Sequence, residues 1–228
     1  MKISILHPSR QRPVYGIAAA QRILGAVSGK HDIEYIMGVR KSDPCLKAYR
    51  DGLASEYLPV RLVEDDAEGS GKAANFIAAM ATGDLFIIWS DDSFVPQGWD
   101  DLLATAAKRA KTKAFVIAVS NNVRTDELLT LQILSKPFYD LFGYVFYPGY
   151  HAMYADNDFT DRAYGLGVVV EARDLIFKQD HYTAGGHIPY DDTYAYENAP
   201  EHYAAGKVLL KQRRARDFDM ADIRKRLA

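Results

Sequence analysis

The stretch "GDLFIIWSDDSFVPQGWDDLL", Gly83 to Leu103, carries five apolar residues from Leu85 to Trp89 and then, with no spacer, Ser90, Asp91 and Asp92. Two adjacent carboxylates at the end of a buried strand are costly unless a cation or hydrogen-bond donors compensate them. Hard oxygen donors with no Cys and no H-E-x-x-H helix nearby suit Mg2+ or Mn2+. One or two carboxylates hold such an ion while water and substrate phosphate complete its shell. The same residues also fit a plainer role, in which Asp92 caps the following turn and Ser93 and Pro96 supply turn chemistry. A second acidic group, "DNDFTDRA", puts Asp156 and Asp158 at a predicted helix N-terminus, where negative charge favours the macrodipole.

Alternating patterns position these carboxylates. "KISIL" is a β-rich run ending at His7 and Pro8, and "GIAAAQRILGAVSG" follows with helical apolar spacing. "DIEYIMGV" predicts a second strand, "PCLKAYRDGLA" a helix with Pro44 in its first turn, "YLPVRLVE" a third strand, and "GKAANFIAAMATG" an Ala-rich helix closed by Gly83. The Leu85–Trp89 strand, a helix from about Trp99 to Ala110 and the strand "KAFVIAVS" continue the series. This β-α-β-α order implies an α/β fold with a mostly parallel, doubly wound sheet and right-handed crossovers. Ligands of such sheets bind beyond the carboxyl ends of the strands, which is where Asp91 and Asp92 fall.

Four segments in order resemble the glycosyltransferases of GT-A fold, closest to family 2 and its small single-domain members. The first strand of that family ends in P-S-R-x-R-P, matched by Pro8, Ser9, Arg10, Arg12 and Pro13. Its A-R-N, with Gly-Asp eight residues after the Asn, is matched by Ala73, Ala74 and Asn75 followed by Gly83 and Asp84, with Ala74 in place of the Arg. Its D-x-D region, with Pro and Trp soon after, is matched by Ser90, Asp91, Asp92, Pro96 and Trp99, with Ser90 in place of the first Asp. Its E-D-x-D-[LF]-x-x-R is matched by Asp156, Asp158, Phe159 and Arg162, with Ala155 where the Glu would be. The match runs over about residues 3 to 194.

The resemblance implies a Rossmann-like GT-A domain, single and compact, with a mostly parallel central sheet flanked by helices. Its nucleotide-sugar-binding half would span 1–122 and its acceptor-binding and catalytic half 123–206, with a basic helix or tail over 207–228. It implies metal-dependent transfer of a hexose or pentose from a nucleotide-diphosphate donor to an acceptor hydroxyl, with inversion. Asp92 would bind the Mn2+ or Mg2+ directly, and Asp91 through water or by holding donor hydroxyls. A late His completes the site in the family; His181 is preferred because the strand-like "VVVEARDLIFK" delivers it, with His187 the other candidate. Asp156 would be the general base, and Asp158 would orient the acceptor or cap the helix. Pro8, Ser9, Arg10, Arg12 and Asn75 would bind the donor. Asn121 and Asn122, after "FVIAV", either contact the sugar or form a turn.

The second strand of the family is followed by an Asp for the base. Here Arg40-Lys41-Ser42-Asp43 occupies that turn, a departure that leaves Asp43 as the nearest carboxylate and Arg40 and Lys41 placed to face phosphate instead; the family resemblance, and not this turn, favours a UDP-sugar donor. "EGSGKAAN" does not make a P-loop, since Asp66 stands where the first Gly belongs and Ala73 replaces the Ser or Thr. From Arg124 to Tyr154 the chain is dense in aromatic residues and reads as the acceptor side, with Tyr150 and Tyr154 as stacking candidates for a glycan or a modified nucleic-acid base. Aromatic core packing is the other account of these residues.

Bulk properties narrow the class. At 228 residues, 48% hydrophobic and 25% charged, the chain has the composition of a globular protein with room for a substantial core. Its net charge of −2 excludes a polyanion binder as a whole, although residues 207–228 carry eight Lys or Arg against three Asp. That segment reads as a solvated helix or as a contact for an anionic partner. The single Cys45 excludes an internal disulfide, and no apolar stretch approaches the roughly 20 residues of a membrane helix. "MKISILHPSR" is too short in its apolar part for a signal peptide, so a cytoplasmic protein is expected. Two rivals stand beside the transferase. A sugar-nucleotide pyrophosphorylase needs a Gly-rich G-x-G-T-R loop that "HPSRQRP" lacks. A catalytically silent nucleotide-sugar-binding module accommodates Ser90, Ala74 and Ala155.

Overall fold

Seven strands form one twisted sheet in the order β3-β2-β1-β4-β6-β5-β7 in a computed structural model that describes residues 1–182 and 185–227. The strands are β1 (Lys2–Pro8), β2 (Asp32–Arg40), β3 (Arg61–Asp65), β4 (Leu85–Ile88), β5 (Val116–Ser120), β6 (Ile133–Ser135) and β7 (Val169–Ile176). All neighbours run parallel except β6, which is antiparallel to both β4 and β5. Helices α1 (Pro13–Gly25), α2 (Leu46–Ser55), α3 (Ser70–Ala78) and α4 (Trp99–Ala107) alternate with the first five strands. Then come α5 (Lys136–Phe142), α6 (Ala155–Gly165), α7 (Asp192–Glu197), α8 (Pro200–Ala215) and α9 (Ala221–Leu227). This is the α/β, mostly parallel arrangement expected from the alternation, in the single compact domain that the family resemblance implies.

The period-2 alternation of side chains across the sheet divides the core in two. Ile3, Ile5, Met37 and Ile87 pack on one face with α1, α2 and α4; Leu6, Ile36, Phe86 and Ile88 pack on the other with α3, α5 and α6. Strands buried on both faces need apolar residues at every position, which is why Leu85–Ile88 reads as an unbroken run. That run then stops at the crevice, where β1 and β4 lie side by side with Leu6 opposite Ile88.

Two elements depart from the expectations. The short β6 lies in the region where the alternating pattern breaks down, and it inserts between β4 and β5. The basic C-terminal segment begins within a helix rather than at 207, because α8 starts at Pro200. It is no free tail: Leu210, Phe218 and Met220 are buried in the second core cluster, and Arg213 is 1% exposed. Five of its eight cations pair with Asp residues of the same protein: Arg213, Arg214, Arg216, Arg224 and Lys225. None of the helices among the described residues is long and apolar enough to cross a membrane.

Candidate active site

The carboxyl ends of β1 to β4 open into a cleft of about 310 Å3, lined in part by Pro8, Ser9, Arg10, Arg12, Asp91 and Asp92. Asp91 is buried beneath it and its charge is answered from several sides. Oδ1 accepts from His7 Nε2 at 2.9 Å and Ser9 Oγ at 2.8 Å, and Arg12 Nη1 lies 3.8 Å from Oδ2. A carboxylate only accepts, so the His7 Nε2–H donates, and His7 Nδ1 meets Tyr35 OH at 2.6 Å. Tyr49 OH joins Ser9 Oγ at 2.7 Å and accepts the Arg12 N–H at 3.0 Å, while the Arg22 guanidinium donates to the Asp91 carbonyl at 2.8 Å. This lattice orders the loop that carries Arg10 and Arg12. Burial, then Asp91, raises the Tyr49 phenol, which therefore stays protonated.

Asp92 keeps more of its capacity. Its Oδ1 accepts from Ser90 Oγ at 2.6 Å, and the contact to Oδ2 is Tyr194 OH at 3.5 Å. Ser90 thus supports Asp92, although it cannot itself supply the carboxylate that a D-x-D would place there. Far along the chain, His181 is brought alongside by backbone pairing: Phe94 N donates to Lys178 O at 2.8 Å, Ser93 bridges Gln179, and Asp180 N donates to Asp92 O at 2.9 Å. His181 lines the cleft, and burial holds its imidazole below the usual histidine value against the pull of Asp92. A neutral imidazole and a carboxylate oxygen make two metal donors. No group of three or more His, Cys, Asp or Glu among the described residues forms a self-sufficient metal cage. The set fits a divalent ion shared with phosphate and water, and not a resident structural metal. His187 falls elsewhere: its Nδ1 meets Asp180 Oδ2 at 2.6 Å, and its ring sits between Tyr15 and Phe94.

A segment the sequence did not single out covers the cleft. Asp191 caps α7 by accepting from Tyr194 N, and it also takes Arg12 bidentately, Nε to Oδ2 at 2.7 Å and Nη2 to Oδ1 at 2.5 Å. The Arg12 guanidinium lies 4.0 Å over the Tyr194 ring, and Arg10 lies 4.2 Å over Tyr196. Thr193 Oγ1 donates to Arg10 O at 2.9 Å, and Ser70 Oγ donates to Glu197 Oε2 at 3.1 Å. The carboxylates and tyrosines of α7 were readable as an acidic-aromatic run, but nothing in their spacing pointed to β1.

The remaining candidates divide. Asp156, half-buried in the first turn of α6, lines an adjoining pocket of about 200 Å3 with Ser70, Thr130, Gln132, Met153 and Tyr154. Ser70, Ala152 and Met153 border both spaces. Burial raises the Asp156 carboxyl above its ordinary range, opposed by the Asn157 N–H. Tyr154 lines the same pocket, whereas Tyr150 is buried and donates weakly, at 3.4 Å, to Asp158. Asp158 is a correction: fully buried, it pairs with Arg162 Nε at 2.7 Å and Arg213 Nε at 3.0 Å, and faces no cleft. Asn75 is another, because its amide clamps the α5–α6 connection, donating to Phe146 O at 2.6 Å and accepting from Val145 N and Phe146 N. Asp43 is a third; both its oxygens accept backbone N–H groups, from Gln11 at 2.8 Å and Cys45 at 2.7 Å. Asn122 is an exposed turn residue at φ 61°, and the buried Asn121 bonds to Thr130 and Gln179.

The whole arrangement was compared with solved structures. Residues 1–349 of S. aureus TarS in complex with UDP match with a TM-score of 0.61 at 15% identity, over 78% of this chain and 59% of that one. This is the GT-A fold. The mannosyltransferase PcManGT from Pyrobaculum calidifontis in complex with GDP-Man and Mn2+ matches at TM-score 0.60 and 13% identity, over 93% of this chain and 75% of that one. Glucosyl-3-phosphoglycerate synthase from Mycobacterium tuberculosis, in complex with Mn2+, UDP and glucosyl-3-phosphoglycerate, matches at 0.59 and 12%, over 86% and 76%. The chain spans about three fifths of the TarS fragment. No protein-family model and no curated protein matches the sequence.

Proposed function

We propose that the protein is a glycosyltransferase that moves a sugar from a nucleotide-diphosphate donor to an acceptor hydroxyl with inversion. The observation that carries this reading is that Asp92 and His181 line one cleft with Arg10 and Arg12 at the strand ends, a pair of metal donors that needs substrate phosphate and water to complete a shell. The shared fold supports it, since proteins of that fold have been solved with UDP, GDP-Man and Mn2+. Asp92 and His181 would hold Mn2+ or Mg2+ together with the diphosphate. When bound there, such an ion stabilises the charge that builds on the leaving diphosphate.

The residues of this chain perform the other steps. Arg12 and Arg10 offer guanidinium N–H groups to phosphate oxygens, with Asp191 releasing Arg12 as the donor enters. Asp156 takes the acceptor proton from the adjoining pocket; its burial favours the protonated form and so makes it a better base than a solvated carboxylate. The acceptor oxygen then forms its bond to the anomeric carbon as the bond to the diphosphate oxygen breaks, and the electron pair leaves with that oxygen. The acceptor is a glycan or a modified nucleic-acid base, and the transferred sugar a hexose or pentose. The test is incubation with a panel of nucleotide sugars and Mn2+. Slow metal-dependent release of free nucleotide from at least one donor is expected, and a panel in which none is hydrolysed or bound overturns the reading.

A further inference from the structure

Resting on the donor reading above, we infer that Asp65 selects the nucleobase and that it selects an imide base, of the uracil or thymine type. Asp65 ends β3, beside Arg40 of β2, and lines the cleft at a strand end three strands from β4, which leads to Asp92. It is 3% exposed. Its Oδ1 accepts the Ala67 N–H at 2.7 Å, whereas its Oδ2 is buried with no hydrogen-bond partner among the described residues. A buried carboxylate oxygen left unpaired costs free energy that a ligand N–H recovers on binding.

The neighbourhood is shaped for it. Gly38, on the adjacent strand, has no side chain to fill the space; a Cβ there would stand 3.3 Å from Asp65 Oδ2 and 2.8 Å from Ile77 Cγ2. Asp43, the carboxylate expected to read the base from the β2 turn, has both oxygens committed to backbone N–H groups. Asp91 is engaged by His7 and Ser9, and Glu197 by Ser70. Strands β2 and β1 separate β3 from β4, which at ~4.8 Å per strand puts about 14 Å between the Asp65 and Asp92 ends. That separation suits a base at one end and a diphosphate at the other.

Free valence then decides the class of base. One open oxygen accepts one N–H, the imide N3–H of uracil or thymine, and the Arg40 guanidinium at the same end of the cleft supplies donors for a flanking carbonyl. Guanine presents two parallel donors and meets a carboxylate best with both oxygens open, whereas Oδ1 here already accepts the Ala67 N–H. Cytosine and adenine present a lone pair where the N–H should be, against a carboxylate that has nothing to donate.

Calorimetric titration of UDP, GDP, CDP, ADP and N3-methyl-UDP in the presence of Mn2+, on the wild-type protein and on Asp65→Asn, tests this. Wild type should bind UDP about tenfold or more tighter than CDP and N3-methyl-UDP, as expected for one hydrogen bond to a charged group. Asp65→Asn, whose amide can donate to cytosine N3, should bring UDP and CDP to within about threefold of each other. The methylated nucleotide needs no variant, so the test stands even if the variant does not fold. Equal wild-type affinity for UDP and N3-methyl-UDP, or tightest binding of GDP or ADP, or an unchanged UDP-to-CDP ratio in Asp65→Asn, overturns the inference while leaving nucleotide binding intact. Failure of every nucleotide to bind overturns the donor reading with it.

Discussion

Asp156 and Asp158 stand two residues apart in the first turn of α6 and have opposite surroundings. Asp158 is sealed between Arg162 and Arg213, so removing it strands two buried guanidinium groups. Asp158→Ala is therefore expected to lower unfolding free energy by about 3–5 kcal/mol in urea titrations. Asp156 has no arginine hydrogen-bonded to it among the described residues, and burial raises its carboxyl, so its ionised form costs stability in the folded protein as pH rises. Asp156→Asn removes that cost and should melt no lower than wild type at pH 7. In the proposed reaction it should abolish sugar transfer with nucleotide affinity unchanged; transfer near the wild-type rate would exclude Asp156 as the base. Asp180 behaves conversely. Hydrogen bonds from His187, then Lys178, lower its carboxyl from an ordinary 3.8 to about 2. The stabilisation is present above the ordinary value and is lost as pH falls towards 2. It is small because the pair is solvent-screened, and it is measured as a melting-temperature difference from Asp180→Asn that shrinks through that window.

At the scale of elements, β1 to β5 were legible because each is a short apolar run bounded by turn residues and separated by a helical period. The strand ends then located the crevice without further information. β6 was not legible, since Ile133–Ser135 offers only three residues where the alternating pattern breaks down and its place is fixed by pairing with β4 on one side and β5 on the other. The α6 roles were half legible: Asp158 and Arg162 lie at i and i+4, a spacing that itself signals an ion pair. The Arg12–Asp191 pair joins residues 179 apart, so no local signal could announce it. The α8–α9 segment was taken for a helix or tail on its charge alone, whereas its buried face carries Leu210, Arg213, Phe218 and Met220. Truncation after Gly206 should therefore abolish the cooperative thermal transition followed by circular dichroism. A truncated protein that melted like the full chain would show the segment to be dispensable.

For the molecule as a whole, the internal pairing of the C-terminal cations leaves little net field for a polyanion, in keeping with the overall charge of −2. Elution from a heparin column at low salt is expected, and retention into high salt would restore an anionic partner for this segment. Charge is instead concentrated in the cleft, where arginines and carboxylates face one another across β1, β4 and α7. In the proposed reaction Asp92 and His181 seat a metal together with the donor diphosphate. The decisive measurement is titration of UDP into the protein with Mn2+ and with the metal chelated, for wild type and Asp92→Asn. Binding is expected to weaken at least about tenfold on chelation in wild type and to be weak and metal-independent in the variant. Equal affinity with and without Mn2+, unchanged by Asp92→Asn, would contradict this role.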